Sequence, residues 1–438
     1  MNLHAQALRS LLQNAPSHTA SALAAALTVS QPTLSRALSS LGEDVLAFGQ
    51  ARRRRYALRR DVRGLGSQFR IWRIAANGMT DEFGALTALP QGAFHFAPAS
   101  TCDWLSGEFQ EGVFPDLPWF LNDLRPQGFL GRAFARNVAQ ALLCPQDPRQ
   151  WQPEQCLHAL LAYGDDLPGD LVIGAHALER AHTPRAAFAL DALAGFAEQA
   201  LAGLAVGSSA AGEQAKIALN VLLQGKAHAC IAKFSPNMDS VLGRRVADLL
   251  EAEAIADTLL AAPDEMPAQT YDLANRRFLI APRFDRTALP ANALSGRRGL
   301  VSLASVDSAY FGGMDNWASC AERLAANGWL NSSDAHRLTL RYQFGRLIGN
   351  TDMHFGNCSL HFSNRLPFAL APNYDMLPMY FMPRGMELPD LDFTPPPATG
   401  LAFEQARTLA QQFWRLVSAS TRISDAFKVI AERVLARF

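Results

Sequence analysis

Lysine is nearly missing from this chain. Of its 40 Lys and Arg residues only four are lysines, at positions 216, 226, 233 and 428. A sequence that uses Arg as its default surface cation keeps Lys where a compact point charge on a flexible stem is wanted, as on nucleotide phosphates. Three of the four fall within one window of 18 residues, 216–233.

Other absences narrow the class further. The six cysteines (102, 144, 156, 230, 320 and 358) are scattered and form no Cys-x-x-Cys pair, which fits a reducing cytosol better than a disulfide scaffold. Met1-Asn2-Leu3-His4 lacks the basic start and apolar stretch of a signal peptide, so a cytoplasmic protein is expected. The Ala-rich run around 186–206 is broken by Asp191 and Glu198, too polar for a membrane span, and no membrane partner is expected. No Gly-x-Ser-x-Gly elbow, His-Glu-x-x-His or Walker A loop is present. A net charge is also lacking, but the balance is uneven. Residues 1–70 hold ten Arg, no Lys and three acidic residues, a net +7 that the remainder must cancel. A basic head on an acidic body points to a polyanion as partner of the head. At 438 residues the chain has room for two or three domains, each with its own core.

The head has a readable architecture. Residues 3–13 carry Leu8, Leu11 and Leu12 on one helical face, and Pro16 follows. Thr19 can cap a second helix through Ala26. Ser30 can cap a third, with Pro32 in its first turn where a missing N–H costs nothing. Leu34, Leu38 and Leu41 line that third helix, and Gly42 stops it. Val45–Phe48, a Gly49-Gln50 turn and Ala51–Leu58 then read as a hairpin bearing Arg52, Arg53, Arg54 and Arg55. Together these predict a winged helix-turn-helix that binds duplex DNA. Gln31, Thr33 and Arg36 face outward on the third helix, where they would reach base edges; the four hairpin arginines would meet phosphates. The plain alternative is a three-helix interaction module with a solvated charge run.

The most informative stretch is Gly349-Asn350-Thr351-Asp352-Met353-His354-Phe355-Gly356-Asn357-Cys358-Ser359-Leu360, with Asn373-Tyr374-Asp375 after a hairpin. Phosphoryl transfer needs such a set: one carboxylate to accept the proton of the attacking hydroxyl, and an amide oxygen with a second carboxylate to hold Mg²⁺ against nucleotide phosphates. Asp352 and Asn357 have the Asp-x4-Asn spacing of protein kinases. His354, Cys358 and His361 could be read as zinc ligands, but no fourth ligand is in sight and Cys358 and His361 would lie on opposite faces of a strand. His354 is better read as ordering the catalytic loop.

Upstream, Gly207–Gly212 is a small-residue loop, followed by strands on either side of Gly225, the second ending at Lys233. Backbone N–H groups of such a loop can wrap phosphates. Asp248–Leu260 reads as a helix offering Glu251 and Glu253 to Lys233. Phe278–Arg286 is an apolar strand running into a polar linker, where a hinge between two lobes would lie.

With these pieces in order, the chain resembles the HipA family of bacterial serine/threonine kinases, the toxin half of type II toxin–antitoxin pairs. The resemblance covers roughly 70–438. It rests on Phe120–Gly128, Tyr163–Asp170, the Ser209–Lys216 loop, Arg283-Phe284-Asp285-Arg286, Gly349–Leu360 and Tyr374-Asp375. It implies an α+β fold in which a HipA-like, two-lobed, protein-kinase-like body with a helical C-terminal lobe follows the winged helix-turn-helix. The expected boundaries are 1–66 for the DNA-binding head, 67–205 for an N-terminal subdomain, 206–290 for the ATP-binding sheet and 291–438 for the helical lobe. It implies ATP and Mg²⁺ as cofactors, Asp352 as catalytic base assisted by His354, and Asn357 and Asp375 as metal ligands. Lys233, Lys216, Gly212, Phe284, Asp285 and Glu253 form the expected nucleotide set, with the backbone of 282–284 meeting adenine. In this family the Ser-rich loop can be phosphorylated by the kinase itself; Ser209 and Ser208 are the candidates. The expected acceptor is Ser or Thr on a protein, and the expected outcome is growth inhibition.

The chain departs from the family at three places. Pro282 stands where a glutamate often precedes Arg-Phe-Asp-Arg. Asp166-Leu167-Pro168 replaces small apolar residues. The usual toxin carries no helix-turn-helix, its separate antitoxin does; whether a separate antitoxin exists stays open. Two other functions fit parts of the pattern: a DNA-binding regulator whose kinase-like body is a sensor or an inactive scaffold, and a small-molecule phosphotransferase. The intact set Asp352, Asn357, Asp375 and Lys233 argues against inactivity.

Overall fold

A computed structural model describes residues 3–50, 53–202, 214–287, 296–389, 392–397, 400 and 402–438. The chain divides into two compact units, Met1–Ala75 with Met79–Arg125 and Val138–Thr183, and Ala76–Gly78 with Pro126–Asn137 and Pro184–Phe438. Helix and sheet are mixed in both. Among the described residues no helix is long and apolar enough to cross a membrane.

The first unit opens with α1 (Leu3–Gln13), β1 (His18–Thr19), α2 (Ala20–Leu27) and α3 (Gln31–Leu41). The caps fall where the sequence places them. Thr19 Oγ1 accepts from the N–H of Ala22 at 3.2 Å, and Ser30 Oγ from that of Thr33 at 3.4 Å. Thr28 takes the left-handed conformation (φ 53°) and closes α2, so the chain turns within three residues into α3. Leu8 and Leu12 of α1, Leu23 of α2, and Leu34, Ala37 and Leu41 of α3 share one core. β2 (Val45–Phe48) and β3 (Arg55–Leu58) join β1 in an antiparallel sheet of order β1-β3-β2.

The hairpin differs from its prediction. Phe48 pairs with Arg55, so residues 49–54 form the connection instead of a two-residue turn. Gly49 (φ +73°) makes this possible, since a Cβ there would lie 2.7 Å from the Arg53 carbonyl oxygen. Arg53 and Arg54 therefore lie in the connection, not on a strand. Arg55 is turned inward: its Nε donates to Ser17 Oγ at 2.8 Å and its Nη2 to the Ser17 carbonyl at 3.2 Å.

β4 (Gln68–Ile74), β5 (Thr80–Ala88), β6 (Phe94–Pro98), β7 (Val113–Phe114) and β8 (Leu171–Ile173) build an antiparallel sheet of order β7-β6-β5-β4-β8. α4 (Gly128–Leu142) and α5 (Pro153–Tyr163) lie between β7 and β8 in the chain, and α6 (Ala175–Ala181) follows. Phe83, Phe96, Trp104 and Phe120 stack edge and face under this sheet, with ring centroids 5.0–6.4 Å apart. The hairpin is packed onto it. Phe48 and Ala57 share a core with Leu89 and Ala93, and the Phe48 ring lies 4.3 Å from that of His95.

In the second unit, β9 (Ala187–Phe188) and α7 (Leu193–Ala202) precede β10 (Lys216–Leu223), β11 (Lys226–Phe234), α8 (Val241–Leu260), β12 (Gln269–Leu273) and β13 (Arg276–Pro282). The sheet order is β12-β13-β11-β10-β9. Period-two alternation decides its faces. Val221, Cys230, Ala232, Phe234, Phe278 and Ile280 pack on Leu193 and Ala197 of α7. Leu279, on the opposite face, lies under Val246, Leu250 and Ala254 of α8. α8 begins at Val241, not at the predicted Asp248, because Ser240 Oγ caps it by accepting from the Gly243 N–H at 2.9 Å.

β14 (Arg286–Thr287), β15 (Gly296–Arg297) and β16 (Val301–Ser302) lead into α9 (Leu303–Tyr310), α10 (Trp317–Ala326) and α11 (Ser332–Ile348). β17 (Ser359–His361) and β18 (Ala369–Leu370) complete a small sheet with β16, and α12 (Phe403–Ala419) and α13 (Asp425–Leu435) close the chain.

Candidate functional site

Strand register brings two of the four lysines to one place. Lys233 on β11 pairs opposite Leu279 on β13 and opposite Lys216 on β10. Leu279 faces α8, so Lys233 faces α8 too, and there it meets Glu253. Lys233 Nζ forms ion pairs with both Glu253 Oε1 and Asp375 Oδ1. The lysine is only 6% exposed. Burial alone would depress its pKa; the carboxylates of Asp375 and Glu253 outweigh burial and raise it. Burial acts against ionised Asp375 as well, but the charges of Lys233 and Lys216 hold its carboxyl down to about 2. Glu253 is shifted upward by burial, and its Oε2 is buried with no hydrogen-bond partner.

The loop that follows α11 is tied to Asp375 by side chains. Gly349 (φ +81°) ends the helix. Asn350 then bridges two segments: its Oδ1 accepts from the Asp352 N–H at 3.0 Å, and its Nδ2 donates to the Asp375 carbonyl at 3.3 Å. Asp375 has φ 53°, a left-handed conformation that Asp tolerates when its surroundings hold it. Asn357 Nδ2 donates to the Asp352 carbonyl at 2.9 Å, which fixes the direction of its amide oxygen. His354 Nδ1 accepts from the Gly356 N–H at 3.0 Å, and its Nε2 lies 3.9 Å from Asp352 Oδ1. The Asp352 side chain itself is 52% exposed. Trp317 Nε1 donates to the His354 carbonyl at 3.1 Å, and the Tyr374 hydroxyl to that of Gly356 at 2.9 Å. The site thus gathers Lys233, Glu253 and Asp375 in one ion-pair chain, with Asp352 and Asn357 on a loop hydrogen-bonded to it.

At the expected hinge the charged side chains bind one another. The Asp285 carboxylate is buried and accepts from Arg283 (3.0 and 2.9 Å) and Arg286 (2.7 Å), so it binds its own segment. The Arg283 N–H donates to the Ala229 carbonyl at 2.8 Å as a continuation of the sheet, and Pro282 has no N–H. Phe284 is half-buried, its ring 5.8 Å from that of Tyr374.

On the head, Gln31 and Arg36 are exposed on α3. Thr33 is half-buried; its hydroxyl lies 3.0 Å from Ser30 Oγ within the cap and accepts from Arg36 Nη2 at 3.4 Å. Arg53 Nη1 donates to Gln110 Oε1 at 3.3 Å, and the Arg54 guanidinium lies over the Tyr56 ring at 5.9 Å. Arg52, Ser208, Ser209 and Gly212 lie outside the described residues. Sequence reading assigned no role to Asn350, Trp317 or Tyr374. The signal for Asn350 was available: an amide between a helix-ending glycine and the candidate base.

Residues 65–182 match the family described as the YjjJ-like toxin middle domain, and residues 208–438 match the HipA-like C-terminal domain. Toxin YjjJ of Escherichia coli strain K12 is 35% identical over 427 residues, 93% of this chain and 92% of that protein. A solved HipA structure from Shewanella oneidensis MR-1, described as a toxin–antitoxin complex of HipA, HipB and operator DNA, aligns with a TM-score of 0.53. It is 15% identical and covers 84% of this chain and 96% of that one, a likeness of fold. By the extent of the YjjJ match and of the C-terminal domain, the chain belongs to the HipA-like toxin family.

Proposed function

We propose that this chain is an ATP- and Mg²⁺-dependent serine/threonine protein kinase that acts as a growth-inhibiting toxin and carries its own winged helix-turn-helix for duplex DNA. The observation that carries the catalytic reading is the buried chain Glu253–Lys233–Asp375. A lysine that joins a helix glutamate to the metal-binding aspartate is the arrangement kinases use to hold nucleotide phosphates.

The donor set suits Mg²⁺. Asn357 and Asp375 offer two oxygens, and Mg²⁺ takes few protein ligands beside water and phosphate oxygens. When bound, Mg²⁺-ATP supplies the phosphoryl group and offsets its charge. With its pKa held down to about 2, Asp375 is ionised at neutral pH, and the raised pKa of Lys233 keeps that lysine charged there. Lys216, opposite Lys233 across the strands, adds a second cation on the same face. Asp352, exposed at the end of a braced loop, can accept the proton of an incoming hydroxyl. A half-exposed base suits Ser or Thr on the surface of a large acceptor better than a small molecule enclosed in a pocket.

DNA binding by the head is supported by the three helices, the outward Gln31 and Arg36, and the cations at the hairpin connection. The S. oneidensis relative was solved with an antitoxin and operator DNA, which supports both kinds of partner here. The test is to incubate purified protein with γ-labelled ATP, Mg²⁺ and cell lysate, then map the labelled residues. Label on Ser or Thr of a discrete lysate protein is expected; label confined to free small molecules would replace this reading.

A further inference from the structure

In kinases whose regulation runs through the glutamate helix, that helix swings and the Lys–Glu pair forms only in the active state. Here α8, which carries Glu253, is fastened on a second side. The turn between α12 and α13 reaches its polar face. The Ser424 N–H donates to Asp248 Oδ1 at 2.8 Å and the Ser424 hydroxyl to Asp248 Oδ2 at 2.5 Å, with Asp248 only 2% exposed. Ser424 also caps α13, accepting from the Phe427 N–H at 3.4 Å. Arg277 of β13, itself buried, donates to the Arg422 carbonyl at 2.6 Å and to the Ala247 carbonyl at 3.4 Å. Arg422 returns to the same group, 3.4 Å from Glu251 and 3.3 Å from Asp272. One turn up α8, Arg245 donates to the Phe381 carbonyl at 3.3 Å and lies over the Phe427 ring of α13 at 5.1 Å.

Three carboxylates (Asp248, Glu251, Asp272) thus meet three guanidiniums (Arg245, Arg277, Arg422), so the charges balance; Asp248, Glu251, Arg245 and Arg277 are buried, while Asp272 and Arg422 close the group at the surface. Asp248 and Glu253 are five positions apart, about 140° around the helix. The apolar stripe Val246–Leu250–Ala254 sits on the sheet while Asp248 is bonded to the turn. A helix bonded on two sides cannot rotate about its axis without breaking one set.

We infer that the Ser420–Ser424 turn is a built-in latch that fixes the rotation of α8, so that Glu253 meets Lys233 without a partner or modification to bring it there. Ser424 and Arg422 are positioning residues for the nucleotide site. The inference rests on the kinase reading above, and it implies that control of the enzyme does not run through a swinging helix.

The test is calorimetric titration of the full chain with Mg²⁺-ATP, in which stoichiometry reports the folded fraction and Kd reports the site. Ser424→Asp sets a second carboxylate against Asp248 and is expected to weaken Kd about tenfold or more. Ser424→Thr keeps the hydroxyl and the cap and should bind like wild type. A merely structural role would lower stoichiometry in Ser424→Asp and leave Kd unchanged; that result overturns the latch while the nucleotide reading stands. If Ser424→Asp is insoluble, Ser424→Ala takes its place with a several-fold loss expected, and unchanged Kd there overturns the latch equally. Wild-type protein that does not bind Mg²⁺-ATP would overturn the nucleotide reading itself.

Discussion

Lys233 is the residue on which the nucleotide reading turns, because it is buried between two carboxylates. A compact ammonium fits between two carboxylates on a strand; a guanidinium is a wide planar fork. Lys233→Arg is therefore expected to lose most Mg²⁺-ATP binding although the charge is kept, and a titration showing normal affinity would remove the argument drawn from scarce lysines. Asp375 belongs to the same pair with the opposite sign. Its pKa falls from 3.8 to about 2 in the folded chain, so its contribution to stability is present above pH 4 and is lost as pH falls through that interval. At neutral pH it is a ready anionic ligand. Asp375→Ala should weaken nucleotide binding more with Mg²⁺ present than without it; equal losses would show that it is no metal ligand. The residue scale is also where sequence reading was weakest. The Asp352/Asn357 spacing and the rarity of lysine were visible in the sequence. That Asp285 would be consumed by Arg283 and Arg286, or that Asn350 would bridge Asp352 to Asp375, depends on tertiary placement that no local pattern encodes.

At the scale of elements, two caps and a register decide most of what was legible. Thr19 and Ser30 mark their helices because a hydroxyl at the N-cap satisfies an N–H that nothing else reaches. The strand alternation that puts Lys233 on the α8 face follows from period two alone. The start of α8 was missed because its cap, Ser240, precedes a stretch whose Arg245 and Asp248 look solvent-facing yet are bonded inside the fold. The hairpin was misread for a related reason: Arg55 resembles its neighbours in sequence but is held by Ser17. Its packing has a measurable consequence. His95, beside Phe48, is held down to a pKa of about 4 by burial, against 6.5 ordinarily. A histidine lowered in this way resists protonation in the folded state only, so stability is full above pH 6.5 and declines as pH falls toward 4, by on the order of 3 kcal/mol at most. Urea melts of His95→Gln between pH 7 and 4 should show a flatter decline than wild type; identical slopes would place the acid sensitivity elsewhere. The hairpin also sets how DNA binding is best examined. Phe48 and Ala57 share a core with Leu89 and Ala93, so a fragment ending at residue 66 would expose that face. In the full chain, replacing Arg53 and Arg54 should weaken binding to all duplexes about equally and reduce the salt dependence. Changing Gln31 or Arg36 should shift sequence preference, at about 1–3 kcal/mol per lost base contact. Sequence-independent loss from Arg36→Ala would make it a phosphate contact.

For the whole molecule, the proposed function would join in one chain a toxin and a DNA-binding head. The charge balance fits this: residues 1–70 carry a net +7 that the rest of the chain cancels, so the N-terminal part is the one suited to a polyanion. We propose that self-phosphorylation at Ser208 or Ser209, outside the described residues, switches the enzyme off. The added dianionic charge would repel ATP phosphates. All of this depends on whether the chain transfers phosphate at all. The direct measurement is label incorporated into protein from γ-labelled ATP and Mg²⁺ by wild type and by Asp352→Asn, side by side, with Mg²⁺-ATP affinity checked in both. The expected result is incorporation by wild type and a loss of ~10³-fold or more in Asp352→Asn with binding retained. Equal incorporation by the two, or none by wild type, would contradict the assignment of this fold as a kinase with Asp352 as its base.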